Sequence, residues 1–398
     1  MKPHLKPAIT RRQFSKTLLA GAAGLSLPGA LSRAASLPDA NSQKAGTEPF
    51  SFMLLGDLHL DKLEHHELDW LQKEHPGDVS QVHNYSRITK DVHPQLFATV
   101  RETVADLKAS GTRVPFVLHV GDLVEGLCGN EKLAVKQCTD GTEFVRAAKL
   151  GVPFLFTKGN HDITGPGATD AFKEILNPFI SAQAATFNVG KLPNDFYAVE
   201  HGDALFCFFD AYSKQSLDWL DATLARRTAR HCFVIVHPPV VPYGARATWC
   251  VYSNENEKAQ REHLLEMLGR NNAIVLGGHI HKYNLLTRIT RTPQGGQFVQ
   301  LGISSIISKP GPAAARDILS GVNEYNGDQI KVEPNFSPGT EKERRAVYET
   351  EAPFVKQFQY ADLPGYAVVD VNADQVAAKV FSGTSRELWR TVQLAGIV

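Results

Sequence analysis

The sequence predicts an α/β layered fold, and three observations carry this. Short apolar runs of strand length recur from Pro49 onward, segments of helical period lie between them, and several runs end in glycine followed by a side chain able to bind a ligand. The runs are Phe52–Leu55, Pro115–Val120, Val152–Phe156, Ala204–Phe209, Cys232–Val236 and Ala273–Leu276. Each is bounded by Gly, Pro or charge, as buried strands are. Helical patterns fall at Pro94–Ala109, Ser216–Arg227 and Glu257–Leu268. In the second of these, Leu217, Leu220 and Leu224 make one apolar stripe. After His281 the texture changes. Leu285–Ile289, Gln297–Leu301, Tyr366–Val371 and Gln375–Phe381 read as strands with no clear helix between them, and predict a second, mostly antiparallel sheet.

Composition narrows the function. The chain has 398 residues, 43% of them hydrophobic, which is enough for a sizeable core and excludes a disordered chain. Its 42 basic and 42 acidic residues give a formal net charge of zero. No overall attraction to nucleic acid or anionic lipid follows, so phosphate recognition must be local. Beyond the first 35 residues no apolar run approaches the ~20 residues that span a bilayer.

The N-terminal segment reads as an address. Lys2, Lys6, Arg11, Arg12 and Lys16 precede a mild apolar run, Thr17 to Leu31, and the small residues Ser32, Ala34 and Ala35 follow. This is the order of a removable signal over 1–35, with a polar linker over 36–48. The alternative is a retained anchor, for which the apolar run is short. Arg11-Arg12 followed by Gln13-Phe14-Ser15-Lys16 resembles the bacterial twin-arginine signal, which implies that export machinery as a partner and a periplasmic or extracellular location. In an oxidising compartment Cys128 and Cys138, placed in one polar loop, are the pair positioned to bridge. Cys207 and Cys232 lie in strand-like runs and read as buried thiols, and Cys250 is unassigned.

A constellation of polar residues stands at the ends of the runs. Its groups are Asp57-Leu58-His59, Gly121-Asp122, Gly159-Asn160-His161-Asp162, His237-Pro238-Pro239 and Gly278-His279-Ile280-His281. Ligands of open α/β sheets bind at the carboxyl ends of strands, where glycine lets the backbone approach closely. Alternation along an extended segment would let Asp57 and His59 share a target, and likewise His279 and His281. Carboxylate, imidazole and amide donors without thiolate suit Fe, Mn or Zn in a catalytic setting. Their number exceeds what one ion with an open position needs, and fits two ions sharing a carboxylate. His119, inside an apolar strand, reads as a buried, hydrogen-bonded residue.

The order and spacing of these motifs, from 57 to 281, resemble the calcineurin-like metallophosphoesterase family. The resemblance implies a four-layer α/β sandwich: two mixed sheets flanked by helices. The catalytic core is expected over 49–303, and a segment over 304–398 is expected to complete the second sheet and either to cap the cleft or to join the sheets. It implies that Asp57, His59 and His281 hold one metal ion, that Asn160, His237 and His279 hold the other, and that Asp122 bridges them. His161 would donate the proton, oriented by Asp162. The purple acid phosphatase branch has Tyr where this chain has Glu125, so a Tyr–iron charge-transfer site is not implied. The activity implied is hydrolysis of a small phosphate ester. The Gly-Asn-His-Asp form leans towards phosphodiesters; phosphomonoester hydrolysis and a non-catalytic binding role are the alternatives. Two loops beside the motifs carry candidate substrate contacts: 60–94 with Tyr85 and Arg87, and 238–254 with Tyr243, Arg246 and Trp249.

Overall fold

All six apolar runs become strands, because each is fully buried and lies beside another such run. The computed structural model describes residues 48–395 apart from 193, 293–294 and 335–338, so the expected export signal lies outside the described residues. Chain order begins β1 (Phe50–Leu55), β2 (Val117–His119), β3 (Phe154–Phe156), β4 (Tyr197–His201), β5 (Ala204–Phe208), β6 (His231–Ile235) and β7 (Ile274–Gly277). It continues with β8 (Tyr283–Ile289), β9 (Gln297–Gly302), β10 (Arg316–Ser320), β11 (Val355–Asp362), β12 (Gly365–Val371), β13 (Val376–Ser382) and β14 (Leu388–Ala395). The main helices are α1 (Leu68–Glu74), α2 (Val79–Asp91), α3 (His93–Ala109), α4 (Glu131–Ala147), α5 (Asn177–Ala184), α6 (Ser216–Leu224), α7 (Lys258–Arg270) and α8 (Glu341–Glu351).

The strands form a six-stranded sheet, β14-β13-β12-β1-β2-β3, and an eight-stranded sheet, β10-β11-β8-β9-β7-β6-β5-β4. Both are mixed. β1, β2 and β3 run parallel, as do β5, β6, β7 and β9, while the remaining pairings are antiparallel. The period of two along β6 separates the layers. Phe233 and Ile235 face the other sheet, in one core with Phe52, Phe116 and Phe206. Cys232, Val234 and Val236 face outward to Leu220 of α6 and to Leu264 and Leu268 of α7. Between the sheets Phe52 meets Phe206 and Phe233 edge-on, at 5.4 and 5.6 Å. Burying each such ring contributes about 1.5–3 kcal/mol, against about 0.2–1 kcal/mol for a cross-strand pair. Side-chain packing therefore fixes how the sheets lie on each other.

Three expectations change. The C-terminal strands do not all join the second sheet: β12 pairs antiparallel with β1, Phe50 opposite Val371, and carries β13 and β14 with it into the first sheet. Only β10 and β11 complete the second. The segment 60–94 is not a loop but largely helix, because Val82, Tyr85, Ile88 and Val92 make a buried stripe beneath its charged face. Cys128 and Cys138 do not bridge. Cys138 lies inside α4, Cys128 gives its thiol to the Gly126 carbonyl at 3.6 Å, and both pack in the core, where burial pushes their thiols up. His119 is buried as expected, but without a hydrogen bond; it stacks on Phe154 at 5.7 Å, and burial holds it neutral, down to about 3.

On the outer side of the second sheet an ion pair is wholly buried. Arg288 of β8 donates from Nε to Glu351 of α8 at 2.8 Å, and Arg261 of α7 donates to the other carboxylate oxygen at 3.1 Å. Burial pushes the Glu351 carboxyl up, but Arg261 and Arg288 pull it down by more, below its usual range. Its stabilisation is therefore present above the ordinary carboxylate pKa of ~4.3 and lost as pH falls through the lower folded value. Glu351→Ala leaves a charged guanidinium buried and is expected to cost about 3–5 kcal/mol in denaturant unfolding. All five cysteines are free thiols, so the intact mass should not change on reduction and the unfolded protein should titrate five thiols.

Candidate metal centre

The site is made where parallel strands end. β1, β2 and β3 of the first sheet, and β6 and β7 of the second, each run straight into a loop that carries predicted ligands. The two edges are tied together where Asp57 bridges Ser304, and within the first sheet Leu58 and His59 both donate their backbone N–H to the Asp122 carbonyl, at 3.1 and 2.9 Å.

Ligand atoms of Asp57, His59, Asp122 and His281 lie within 4.8 Å of one another, and those of Asp122, His237 and His279 do the same. Asp122 belongs to both groups. Asn160 joins the second, its Oδ1 standing 3.2 Å from His237 Nε2. His59 Nε2 and His281 Nε2 are 3.3 Å apart, and His279 Nδ1 and His237 Nε2 are 3.2 Å apart. Two donors each ~2.1 Å from one ion at octahedral to tetrahedral angles are separated by roughly 3.0–3.4 Å, so this spacing fits. The buried Asp57 Oδ2 has no hydrogen bond, and Asp122 Oδ2 meets His237 Nε2 at 3.0 Å. Buried carboxylate oxygens without donors want a cation, and the residues fit a pair of ions.

The backbone accepts strain to achieve this. His59, Asp122, His279 and His281 have φ of 49°, 57°, 69° and 60°, in the left-handed region, where a non-glycine residue costs on the order of 1–3 kcal/mol. Convergence thus comes from left-handed turns rather than from extended alternation. His279 and His281 fall in different groups instead of sharing a target. Gly159 is required by space: a Cβ there would fall onto the carboxylate and backbone nitrogen of Asp122.

Electrostatics follow the same geometry. Burial raises the Asp57 carboxyl, partly offset by His237. Burial also acts on Asp122, but His237 and His161 outweigh it and hold this carboxyl well below its usual range. His237 is pushed up to about 9: burial lowers it, and Asp122 and Asp57 more than compensate. Burial, then neighbouring cations, hold His279 and His281 well down, so both offer neutral lone pairs. A divalent cation competes for the His237 Nε2 lone pair, so its binding releases that proton. His237 Nδ1–H is fixed by the Val120 carbonyl at 2.9 Å, which turns Nε2 to the site.

Of the predicted catalytic pair, His161 stands beside the ligands, its ring 4.6 Å from that of His59. Asp162 does not orient it. The Asp162 carboxylate accepts from the backbone of Asp122 (3.1 Å), Val124 (3.1 Å) and Gly159 (2.8 Å), and so holds the two ligand loops together. Burial first, then Asp122, raises this carboxyl to about 6. Orientation of His161 falls to Glu125, whose carbonyl takes Nδ1–H at 2.7 Å and whose carboxylate lies 3.2 Å away. The same carboxylate bonds His59 Nδ1 at 2.6 Å and Gln81 Nε2 at 2.8 Å. Sequence reasoning saw Glu125 only as a missing Tyr. Its place one turn past the shared Asp122 was the available signal. Tyr85, expected as a substrate contact, is buried and stacks on His59 at 4.3 Å, while Arg87 is exposed and donates to the Ser308 carbonyl at 2.8 Å.

No curated protein is detectably similar to the chain. Among solved structures the fold is similar to the purple acid phosphatase PPD1 of yellow lupin (Lupinus luteus), with 13% identity and a TM-score of 0.51 over 89% of this chain and 55% of that one. The chain thus spans little more than half the length of that enzyme. PhoD is 12% identical with a TM-score of 0.48, over 89% of this chain and 73% of its own. A dimetal phosphatase from Danio rerio is 13% identical with a TM-score of 0.46, over 87% and 99%. At these identities the likeness is one of fold. The family model for calcineurin-like phosphoesterases matches residues 50–283, more than half of the chain, and the chain belongs to that family.

Proposed function

We propose that the protein is an exported, dimetal-dependent phosphodiesterase. The observation that carries the reading is the place of Asp122 in both groups of ligand atoms, since two cooperating ions need a shared carboxylate. Asp57, His59 and His281 would hold one ion with Asp122, and Asn160, His237 and His279 the other. The donor set suits Fe, Mn or Zn. When bound, the pair of ions polarises phosphoryl oxygens and makes a water acidic enough to attack phosphorus near neutral pH.

The chain's own part is positional and acid–base. With Nδ1–H tied to the Glu125 carbonyl, His161 has Nε2 as the atom that can give a proton to the departing ester oxygen. The nearby Glu125 carboxylate favours the charged ring before that proton leaves. Asp162 holds the Asp122 and Asn160 loops at fixed separation through three backbone N–H groups. The diester preference rests on the Gly159-Asn160-His161-Asp162 form, which resembles that of diesterases. Export rests on Arg11-Arg12 and the short apolar run behind them. No helix among the described residues is long and apolar enough to cross a membrane.

Metal analysis together with hydrolysis of bis(p-nitrophenyl) phosphate and p-nitrophenyl phosphate tests the reading. Asp122→Asn is expected to lose bound metal and turnover together. His161→Ala should keep its metal and lose turnover about 10²–10⁴-fold. Wild-type turnover of the monoester alone would make the protein a phosphatase, and none with metal bound would make it a binding protein. N-terminal sequencing of exported material should start after the Ser32–Ala35 stretch; an intact Met1 there would refute cleavage.

A further inference from the structure

The turn after β5 carries no predicted ligand, yet the fold brings it to the metal centre. β5 and β6 run parallel with Phe208 opposite Ile235, and Phe209 N–H donates to the Ile235 carbonyl at 2.8 Å. Carried two residues further, that register sets Asp210 beside His237. From the other sheet, Thr157 Oγ1 donates to the Phe209 carbonyl at 3.0 Å, and Lys158 Nζ pairs with the Asp210 carboxylate at 2.7 Å. Thr157 and Lys158 stand directly before Gly159-Asn160-His161. The turn is therefore fastened to the loop that bears the candidate ligand Asn160 and the proposed proton donor. It is also tight in itself. Tyr212 N–H donates to Asp210 Oδ1 at 2.9 Å, and Ser213 N–H donates to the Asp210 carbonyl at 3.3 Å. An aspartate that accepts from the backbone two residues on makes an Asx-turn, which sets this backbone without help from a substrate.

What the turn presents is Tyr212. The residue keeps 39% of its surface exposed, and its hydroxyl has no hydrogen-bond partner among the described residues. Burial, and then the carboxylates of Asp122, Asp210, Asp162 and Asp57, push its phenol well above the usual range. Asp57 and Asp122 are candidate ligands, and Asp162 holds the loops of Asp122 and Asn160 together. Acids that reach the phenol from these places put its hydroxyl on the side of the metal centre. An exposed ring is ordinary on a surface. A donor turned from a fixed backbone towards a site for phosphoryl groups is placed for an acceptor that arrives with the substrate. We propose that Tyr212 is a substrate-contacting residue, its hydroxyl donating a hydrogen bond to a phosphoryl oxygen of the ester held at the metal centre. This rests on the dimetal hydrolase reading and adds to it a contact that lies outside the five ligand motifs. A neutral donor on an ionised oxygen makes a charge-assisted bond, about twice as strong as one between neutral groups. Because the turn is already ordered, little freedom is lost in making it.

Calorimetric titration of the metal-loaded full chain with orthophosphate reads the contact without turnover. Tyr212→Phe removes only the hydroxyl. It is expected to keep the wild-type metal content and to weaken orthophosphate binding about 10-fold. The same variant should lower kcat/KM for bis(p-nitrophenyl) phosphate by about 10-fold. Tyr212→Leu should lose no more orthophosphate affinity than Tyr212→Phe, because the contact is made by the hydroxyl and not by the ring. Unchanged affinity in Tyr212→Phe overturns the contact, and so does a loss confined to Tyr212→Leu. A wild type that holds its metal and takes up no orthophosphate overturns it as well. If the wild type binds orthophosphate but hydrolyses neither p-nitrophenyl ester, the hydrolase reading fails, while the titration of Tyr212→Phe still decides the role of the hydroxyl.

Discussion

Two carboxylates are buried side by side, and the rest of the site answers to them. Asp57 and Asp122 are almost completely removed from water; Asp57 Oδ2 has no hydrogen bond, and Asp122 Oδ2 meets His237 Nε2 at 3.0 Å. Holding ionised carboxylates in such a place costs several kcal/mol per group unless positive charge comes with them. His237 supplies part of that charge, and the four-way gathering of His59, His237, His279 and His281 around the carboxylates supplies the lone pairs for more. Strained turns at four ligand positions and a glycine pressed against Asp122 are the structural cost of placing these groups together.

Behind the ligands stands a layer that fixes their orientation. Glu125 joins His59 to His161, so the candidate metal ligand and the proposed proton donor share one carboxylate. Tyr85 lies flat on His59 from the helix side, and Gln81 of the same helix holds Glu125. Lys158 sits just before Gly159 and pairs with Asp195 at 2.6 Å and Asp210 at 2.7 Å, which ties the end of β3 to the end of β5 in the other sheet. Helix α2 therefore belongs to the chemistry although it carries no ligand.

The candidate ligands were legible because their loops follow buried apolar runs, four of them through glycine and the His237 loop directly, and that pattern depends only on local sequence. Strand partners were not legible. Nothing near Tyr366 says that its strand lies against Phe50–Leu55, since that pairing is set by the shared core and not by neighbours in the chain. β4 was missed because only alternate residues of Tyr197–His201 are buried, and β10 because its residues are mostly exposed. α2 was hidden by the polar residues His83, Asn84, Ser86 and Arg87 placed between Val82, Tyr85 and Ile88. The roles of Glu125 and Asp162 were out of reach for a related reason: both act through bonds to residues tens of positions away, His59 and Asp122.

The place of β12 in the first sheet governs the order in which the molecule can assemble. β1 lies between β2 and β12, so one of its two edges stays open until residue 371 has left the ribosome. By then every ligand loop has been synthesised, but the strand that carries Asp57 is still half-paired. Non-local pairing of this kind is slow and leaves apolar backbone exposed while it waits. The strand that carries Asp57 thus gains its second partner only after all seven candidate ligands have been synthesised, and a truncation that spares them but removes β12 to β14 would still leave Asp57 on an unsupported edge.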